Sequence, residues 1–180
     1  MMLYPIPEFR AAEYQVKFAT CRWEREGAHA LRRAVFCTEQ GLFADDDRDV
    51  IDASAIPIVA LAMLGVVADE VVGTVRIHET EPGVWWGSRL AVHRDYRRIG
   101  ALGATLIRLA VSSAHAMGCH TFLANVQVQN GLLFRRLHWQ VVDEFEMYGK
   151  PHLRMRASLD HYPPCWSPRE GFVALPRKAA

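Results

Sequence analysis

Apolar and polar positions along the chain form short alternating runs, interrupted by one longer segment with helical spacing. The alternating or apolar runs predict strands at residues 14–20, 58–64, 71–77, 85–92, 121–126, 141–147 and 153–157. Apolar residues from Leu102 to Met117 recur every three or four positions and predict the main helix, and shorter helices are predicted at 28–36 and 132–137. Short turns between most strands indicate a mainly antiparallel sheet, and the passage through the main helix indicates one parallel crossover. The predicted class is therefore α/β (α+β).

The chain of 180 residues is long enough for one domain with a full core. From Tyr162 onward the periodicity ends, and four prolines follow at positions 163, 164, 168 and 176. We therefore expect a domain at residues 1–160 and a C-terminal extension at 161–180 that is an appendage or a linker.

Composition excludes several classes of protein. Hydrophobic residues make up 51% of the chain and the net charge is +1, which argues against disorder and against a nucleic-acid or membrane surface. The first residues lack the basic and apolar regions of a secretory signal, and the four cysteines form no Cys-x-x-Cys pair. We expect a cytoplasmic protein without a metal site, because the eight histidines show no ligand spacing.

The strand that ends near Val92 runs through a turn rich in arginine and glycine into the main helix. The first amides of a helix lack internal partners, and the helix dipole favours an anion there. Glycines allow close approach of a ligand, and arginines add charged donors. The sequence therefore predicts a phosphate cradle. Its residues are Leu90, Ala91, Val92, Arg97, Arg98, Ile99, Gly100, Ala101, Leu102, Gly103 and Ala104.

This turn resembles motif A of the GNAT acetyltransferases, in which an Arg/Gln-x-x-Gly-x-Gly/Ala run binds the pyrophosphate of acetyl-CoA. Arg97-x-x-Gly100 and the preceding Leu-Ala-Val-x-x-x-Tyr-Arg match that motif. Leu102 stands where the family has a small residue, and Gly103 comes one position late. The resemblance implies acetyl-CoA as the cofactor.

Two further segments extend the resemblance over residues 14–158. The run from Arg32 to Gln40 is similar to an Arg-x-x-Val-Phe-x-x-Glu-Gln helix end of one GNAT branch, and Tyr148 to Met155 is similar to its Gly-x-Pro-His-x-x-Met ending. The pattern looks closest to a bacterial subfamily associated with nitrogen-starvation and nitrilase gene clusters. It implies a sheet that splits beside the motif strand, with the pantetheine arm in the split. The implied reaction is acetyl transfer to the amine of a small molecule, and the oligomeric state stays open, a homodimer included.

Acyl transfer to an amine needs a neutral amine and donors for the tetrahedral oxyanion, and an acid for the thiolate is helpful. Many GNAT enzymes carry a tyrosine acid in a Tyr-x-x-x-Gly-Phe run. Here Phe134 stands at the tyrosine position and His138 at the glycine position, so the usual acid is absent.

The remaining candidates for the site are Glu39, His152, Tyr148 and Arg89. Glu39 is a candidate base and acceptor-binding residue or a solvated glutamate, His152 a base or a structural histidine, and Tyr148 a substitute acid or an exposed turn residue. Arg89 lies on the strand face opposite Leu90, where it meets an acidic substrate or pairs with Glu39 or Glu79, and a plain structural ion pair is the other interpretation. The run Asp45-Asp46-Asp47 continues to Asp49 in a segment that we call the acidic loop. Such a run of charges is typical of a solvated loop.

Two other functions remain open. Arg33-x-Val35-Phe36, the acidic loop and Gly73 to Ile77 also resemble the acyl-homoserine-lactone synthases, which share this core and take acyl groups mainly from acyl carrier protein. The pyrophosphate cradle favours CoA over that donor. A CoA-binding sensory module without turnover is the third reading, and Phe134 is the residue that favours it.

Overall fold

The computed structural model describes residues 11–98 and 101–176. One sheet contains eight strands: β1 (Tyr14–Phe18), β2 (Ile56–Leu64), β3 (Val67–Glu81), β4 (Val84–Val92), β5 (Thr121–Gln127), β6 (Trp139–Met147), β7 (Lys150–Ala157) and β8 (Phe172–Ala174). The seven predicted strands are confirmed. Several are longer than predicted, because cross-strand hydrogen bonds continue past the positions where alternation ends.

Three α-helices accompany the sheet: α1 (Arg22–Arg32), α2 (Leu102–Ala116) and α3 (Gly131–Arg136). A π-helical turn at Arg33–Glu39 continues α1, and its wider hydrogen bonding is seen between the Gln40 amide and the Val35 carbonyl at 2.9 Å. The predicted helix at 28–36 is therefore two segments. It begins six residues earlier than predicted. The prediction missed these residues because the first turns of α1 are largely polar and show no apolar spacing.

The strand order is β6-β7-β5-β4-β3-β2-β1-β8, and all neighbours are antiparallel except β4 and β5. The crossover from β4 through α2 to β5 makes that parallel pair, as predicted. Helix α2 covers one face of the sheet. Its residues Leu106 and Leu109 lie in the main core with Phe122 of β5. Helix α1 and the loop after it cover part of the opposite face.

A bulge bends β4 at Arg89. Register shifts between Thr74 and Arg76, so that Arg76 pairs with Ser88 while Thr74 pairs with Ala91. Arg89 has φ +55°, a conformation that L-residues other than glycine rarely adopt. Leu90 packs on the α2 core, and Arg89 faces the acidic loop on the other side, which confirms their predicted opposite placement.

The segment after Tyr162 packs back onto the domain. The Tyr162 ring is 2% exposed, the Cys165 amide donates to the Ser112 carbonyl, and β8 pairs with β1 at the edge of the sheet. At Gly171 (φ +69°) a Cβ would lie 1.8 Å from the Val16 carbonyl oxygen, so this approach requires glycine. The boundary at residue 160 stays a prediction, but the segment up to Pro176 is packed against the domain rather than held away from it.

Within residues 11–98 and 101–176, no helix combines the length and apolar character needed to cross a membrane.

Candidate active site

Strands β4 and β5 separate halfway along their length. Their pairing ends at Gly87 and Ala124, although β4 continues to Val92 and β5 to Gln127. Beyond that point β4 pairs with β3 alone and β5 with β7 alone. The two inner edges therefore offer backbone donors and acceptors to a ligand, as an unpaired strand edge does.

A cavity of about 350 Å³ occupies this split. Ile107 and Ala110 of α2 line its inner part, and Arg89, Asn125 and His152 line its outer part. The cavity therefore joins the two faces of the sheet. A narrow passage between separated strands fits an extended chain better than a compact ligand.

Helix α2, which lines the cavity with Ile107 and Ala110, begins without a side-chain cap. Ala101 is its N-cap residue and contributes no side-chain hydrogen bond. Ile99 and Gly100 of the predicted cradle lie outside the described residues. A Cβ at Gly103 would meet no atom closer than 4.0 Å, so the first turn of α2 is open on that side. These uncapped amides beside Arg98, which is exposed, fit a pyrophosphate.

Other residues of the predicted cradle contribute through their backbone. The Leu102 side chain is 2% exposed and lies in the α2 core, and Leu90 and Val92 pack against the same core. Ala91 is buried on the opposite face of the sheet, in a cluster with Leu31 of α1. Their side chains are therefore unavailable to an anion, whereas the backbone of 90–92 forms the open edge of β4.

Arg97 of the predicted cradle forms an ion pair with Glu39. Its two terminal nitrogens lie 2.6 and 2.8 Å from the Glu39 carboxylate, and its Nε donates to the Val92 carbonyl at 2.9 Å. The hydrogen bond from Arg97 lowers the pKa of Glu39. A base tuned to neutral pH needs a shift in the opposite direction. Of the alternatives for Glu39 and Arg89, a contact between the two is not formed, because Glu39 pairs with Arg97 while Arg89 pairs with Asp47 and Asp49.

The acidic loop takes part in a closed ring of alternating charges that we call the Arg/Asp ring. Ion pairs of 2.6 to 3.2 Å link each member to the next. In order around the ring, its members are Arg32, Asp47, Arg89, Asp49, Arg76 and Asp52. Three positive and three negative charges make it neutral overall.

The Arg/Asp ring corrects two expectations. Asp47 is buried, with a side chain 0% exposed, so the acidic run is not simply a solvated loop. Arg89 pairs with Asp47 and Asp49 rather than with Glu39 or Glu79, and its guanidinium carbon also lies 4.6 Å from the centre of the Phe43 ring. Because two carboxylates already balance the charge of Arg89, it is less suited to bind an acidic substrate. The ring fastens the loop to α1, β3 and β4 over the cavity.

His152 is the best placed of the predicted catalytic residues. It is 3% exposed, lines the cavity from β7, and has Nδ1 2.8 Å from the Lys150 carbonyl oxygen. A carbonyl can only accept, so Nδ1 carries a proton, and in the neutral ring Nε2 has the lone pair. The arrangement fixes the tautomer that a proton acceptor requires.

Tyr148 lies in the β6–β7 turn and also lines the cavity. It has φ +54°, is 48% exposed, and packs edge-on against Phe43 with ring centres 5.0 Å apart. The loop after α1 therefore meets the hairpin turn across the mouth of the cavity, and the phenol lies at that mouth.

Phe134 lies in the wall of the cavity and is 5% exposed. Its ring packs edge-on against Trp139 at 5.0 Å between centres. Its ring shapes the cavity wall and excludes water, and it has no acidic group that could donate a proton. His138, which takes the glycine position of the family motif, is exposed, has φ +63°, and stacks on His161 at 3.6 Å.

Among the polar cavity residues that sequence reasoning missed, two lie on β5. The Gln127 amide donates to the Gln40 side-chain oxygen at 3.0 Å and so joins β5 to the end of the π-helical turn. Asn125 lies two residues earlier on the same face of β5. The alternation of β5 could have indicated them, because polar residues at 125 and 127 alternate with the buried residues Ala124 and Val126.

Comparison with known proteins agrees with this geometry. Residues 18–138 match the model of the acetyltransferase (GNAT) family. No curated protein matches the sequence. A candidate N-acetyltransferase from Lactobacillus plantarum has a similar structure, with TM-score 0.71 and 23% identity over 80% of this chain and 97% of that one.

Two further structures resemble the chain. ElaA from Escherichia coli has TM-score 0.68 and 20% identity, over 81% of this chain and 98% of its own. The acyl-homoserine-lactone synthase LasI has TM-score 0.64 and 16% identity, over 84% of this chain and 95% of its own. At these identities the likeness is one of fold.

Proposed function

Because the chain belongs to the GNAT acetyltransferase family, we propose that it transfers an acetyl group from acetyl-CoA to the amine of a small molecule. The observation that carries the proposal is the split between β4 and β5, whose cavity is lined by Ile107 of α2 and by His152 of β7. The split offers a passage for an extended arm and a proton acceptor in one cavity, and the helix that lines it begins with amides that no side chain caps. The subfamily linked to nitrogen-starvation and nitrilase gene clusters stays part of this proposal, as does the cytoplasmic location, which four free cysteines support.

The residues present fit acetyl-CoA. The first amides of α2 and Arg98 would hold the pyrophosphate, with Arg97 fixed beside them by Glu39. The open edge at 90–92 would bind the pantetheine arm through the backbone. The thioester supplies an acyl group on a fair leaving group, since thiol pKa values lie near ~8.5.

We assign the base to His152. Its Nε2 takes a proton from the acceptor amine, and the hydrogen bond from Nδ1 to Lys150 keeps the ring in that tautomer. Glu39 is then a positioning residue that orients Arg97, and Tyr148 is the candidate acid at the cavity mouth. Arg89 contributes by holding the acidic loop in place.

Binding and turnover should be measured separately. Acetyl-CoA should raise the melting temperature, because a ligand of the folded state stabilises it. Release of free CoA thiol should then be followed with a panel of amino acids, polyamines and aminoglycosides. No thermal shift and no calorimetric signal at millimolar CoA contradicts the proposal.

A variant in the first turn of α2 locates the pyrophosphate. Gly103→Val adds bulk where the structure is open, so the fold should survive while the CoA-induced rise in melting temperature shrinks. Ala116→Val, at the far end of the same helix, controls for the effect of a branched residue on helix stability. Equal CoA binding in both variants places the phosphates elsewhere.

An acyl-homoserine-lactone-synthase-like reaction is the second candidate. Two of the segments that resemble those enzymes, the acidic loop and the Arg76 strand, meet in the Arg/Asp ring. A comparison of acyl carrier protein with CoA as the acyl donor distinguishes the two functions. Binding of CoA without thiol release on any acceptor supports instead the sensory module, to which Phe134 is suited.

A further inference from the structure

Arg154 lies on the open face of β7, beside the cavity, between two aromatic rings. Its guanidinium carbon is 5.9 Å from the centre of the Trp86 ring and 5.2 Å from that of Phe145. Core residues Leu153 and Met155 flank it on the strand and point toward α2, so alternation directs Arg154 to the opposite face with His152. The charge is thus partly withdrawn from water.

Arg154 has no anionic partner among the described residues, and its Nε is buried without a hydrogen bond. The contrast with the Arg/Asp ring is direct, since Arg32, Arg76 and Arg89 each pair with two carboxylates. An arginine stays charged at any ordinary pH, and a partly buried unpaired charge is costly. Such a group is suited to a ligand that brings the anion.

The neighbouring residues leave this guanidinium available. Asp143 lies opposite on β6, but its carboxylate accepts from the Glu144 amide at 2.9 Å and forms no ion pair with Arg154. Asn125 is the register partner on β5, and it lines the cavity with an exposed carboxamide. A carboxylate placed here could accept from both Arg154 and Asn125.

The distance to the proposed base limits the ligand. His152 and Arg154 are two residues apart on one face of β7, about 7 Å along the strand. An amine at His152 and a carboxylate at Arg154 must therefore belong to one small molecule with a short connection between them. Phe145 contacts both side chains and gives that connection an apolar surface.

We propose that Arg154 binds the carboxylate of the acceptor, and that the acceptor is an amino acid or a similarly small amino carboxylate. This inference rests on the proposed acetyl transfer, because it concerns the acceptor end of the same cavity. It moves the recognition of an acidic substrate from Arg89, which already pairs with two carboxylates, to Arg154, which pairs with none among the described residues.

The test compares free amino acids with their carboxamides, which keep the amine and lose the negative charge. The wild-type protein should show kcat/KM for the acid higher than for the amide by about tenfold to a hundredfold, the range expected for a hydrogen-bonded charge pair. In Arg154→Gln the ratio should fall to near one. Arg154→Lys, which keeps the charge but not the fork, should retain part of the ratio.

Arg156→Gln is the matched control, because Arg156 is exposed on the same face of the same strand. It should keep the wild-type ratio, and melting temperatures should show that all three variants fold. A wild-type protein that does not distinguish acids from amides, or an Arg154→Gln variant that keeps the full preference, overturns the inference.

Calorimetric titration with the same acids and amides in the presence of CoA separates this inference from the proposed function. Binding of acids that Arg154→Gln loses and Arg156→Gln keeps, without any turnover, supports the carboxylate site and contradicts acetyl transfer. Acetylation of uncharged amines with no binding of any acid supports acetyl transfer and contradicts the carboxylate site at Arg154.

Discussion

The carboxylate of Asp47 lies 3.0 Å from the Nε of Arg89, and this contact ties the acidic loop to the bulge of β4. The Arg89 guanidinium also donates to the Asp47 backbone carbonyl at 3.1 Å. The bulged backbone at Arg89 is an unfavourable conformation that the surrounding contacts hold in place. The loop, the bulge and the mouth of the cavity therefore form one unit.

Asp47→Asn should destabilise the protein strongly. The substitution leaves buried Arg32 and Arg89 with one carboxylate fewer each, and breaking a buried ion pair costs about 3–5 kcal/mol. Urea unfolding followed by circular dichroism measures the change in the free energy of unfolding. Asp46→Asn, an exposed neighbour in the same loop, should change it by less than about 0.5 kcal/mol. Equal stabilities for the two variants would show that the ring contributes little.

Stability should fall steeply in acid. The hydrogen bonds from Arg76 lower the pKa of Asp49, and at Asp52 the hydrogen bonds from Arg32 and Arg76 outweigh the effect of burial and lower the pKa as well. A carboxyl with a lowered folded-state pKa stabilises the fold above its unfolded value, roughly 4, and loses that contribution as the pH falls below it.

The urea midpoint measured from pH 7 to pH 2 should therefore drop below about pH 4. Asp49→Asn removes one of these groups and should flatten the decline, whereas Asp45→Asn, exposed in the same loop, should not. A midpoint that is independent of pH down to 2 would contradict the pairing.

His152→Gln should lower kcat by about a hundredfold or more, the scale of a lost general base. His138→Asn is the control, since asparagine tolerates the left-handed backbone at this exposed position. A His152→Gln variant that retains the wild-type kcat would exclude His152 from proton transfer.

Glu39→Gln separates a positioning role from a base role. An exposed ion pair contributes about 0–1 kcal/mol, so loss of the Arg97 contact should raise the KM for acetyl-CoA by up to about fivefold and leave kcat nearly unchanged. If Glu39 is the base instead, kcat falls most at low pH and the KM for acetyl-CoA stays constant. Initial rates at varied acetyl-CoA from pH 6 to pH 9 distinguish the two.

Phe134→Leu should reduce turnover far less than the roughly hundredfold loss expected for removal of a tyrosine acid. The side chain is buried against Trp139, so the variant should lose about 1–2 kcal/mol of stability from incomplete filling of its site. A hundredfold loss of kcat with folding and CoA binding intact would show that position 134 takes part in the chemistry.

The local pattern predicted the strands, the crossover and the start of α2, because alternation and spacing indicate which face of each element is buried. It could not predict the Arg/Asp ring, whose members lie up to 57 positions apart along the chain. Asp46 and Asp47 look alike in the sequence, yet only Asp47 lies where two buried guanidinium groups meet it.

Some signals of the site were present in the sequence. Arg76 and Arg154 each interrupt a buried strand, and a charge at such a position implies a partner. For Arg76 the partners lie in the chain, and for Arg154 the described residues supply none. Distinguishing these cases requires the register of β6 and β7, which a bulge between Val141 and Asp143 shifts by one residue.

The two ends of the sheet are closed in different ways, and this bears on how two chains could meet. At one end β8 pairs with β1 and occupies its outer edge. At the other, β6 is the edge strand and carries Asp143, Glu144 and Glu146, all exposed. Antiparallel addition of a second β6 would bring carboxylates of the two copies together, and like charges across a strand pair repel. A dimer that joins two sheets through β6 is therefore opposed by charge, and a homodimer of this chain would use another surface.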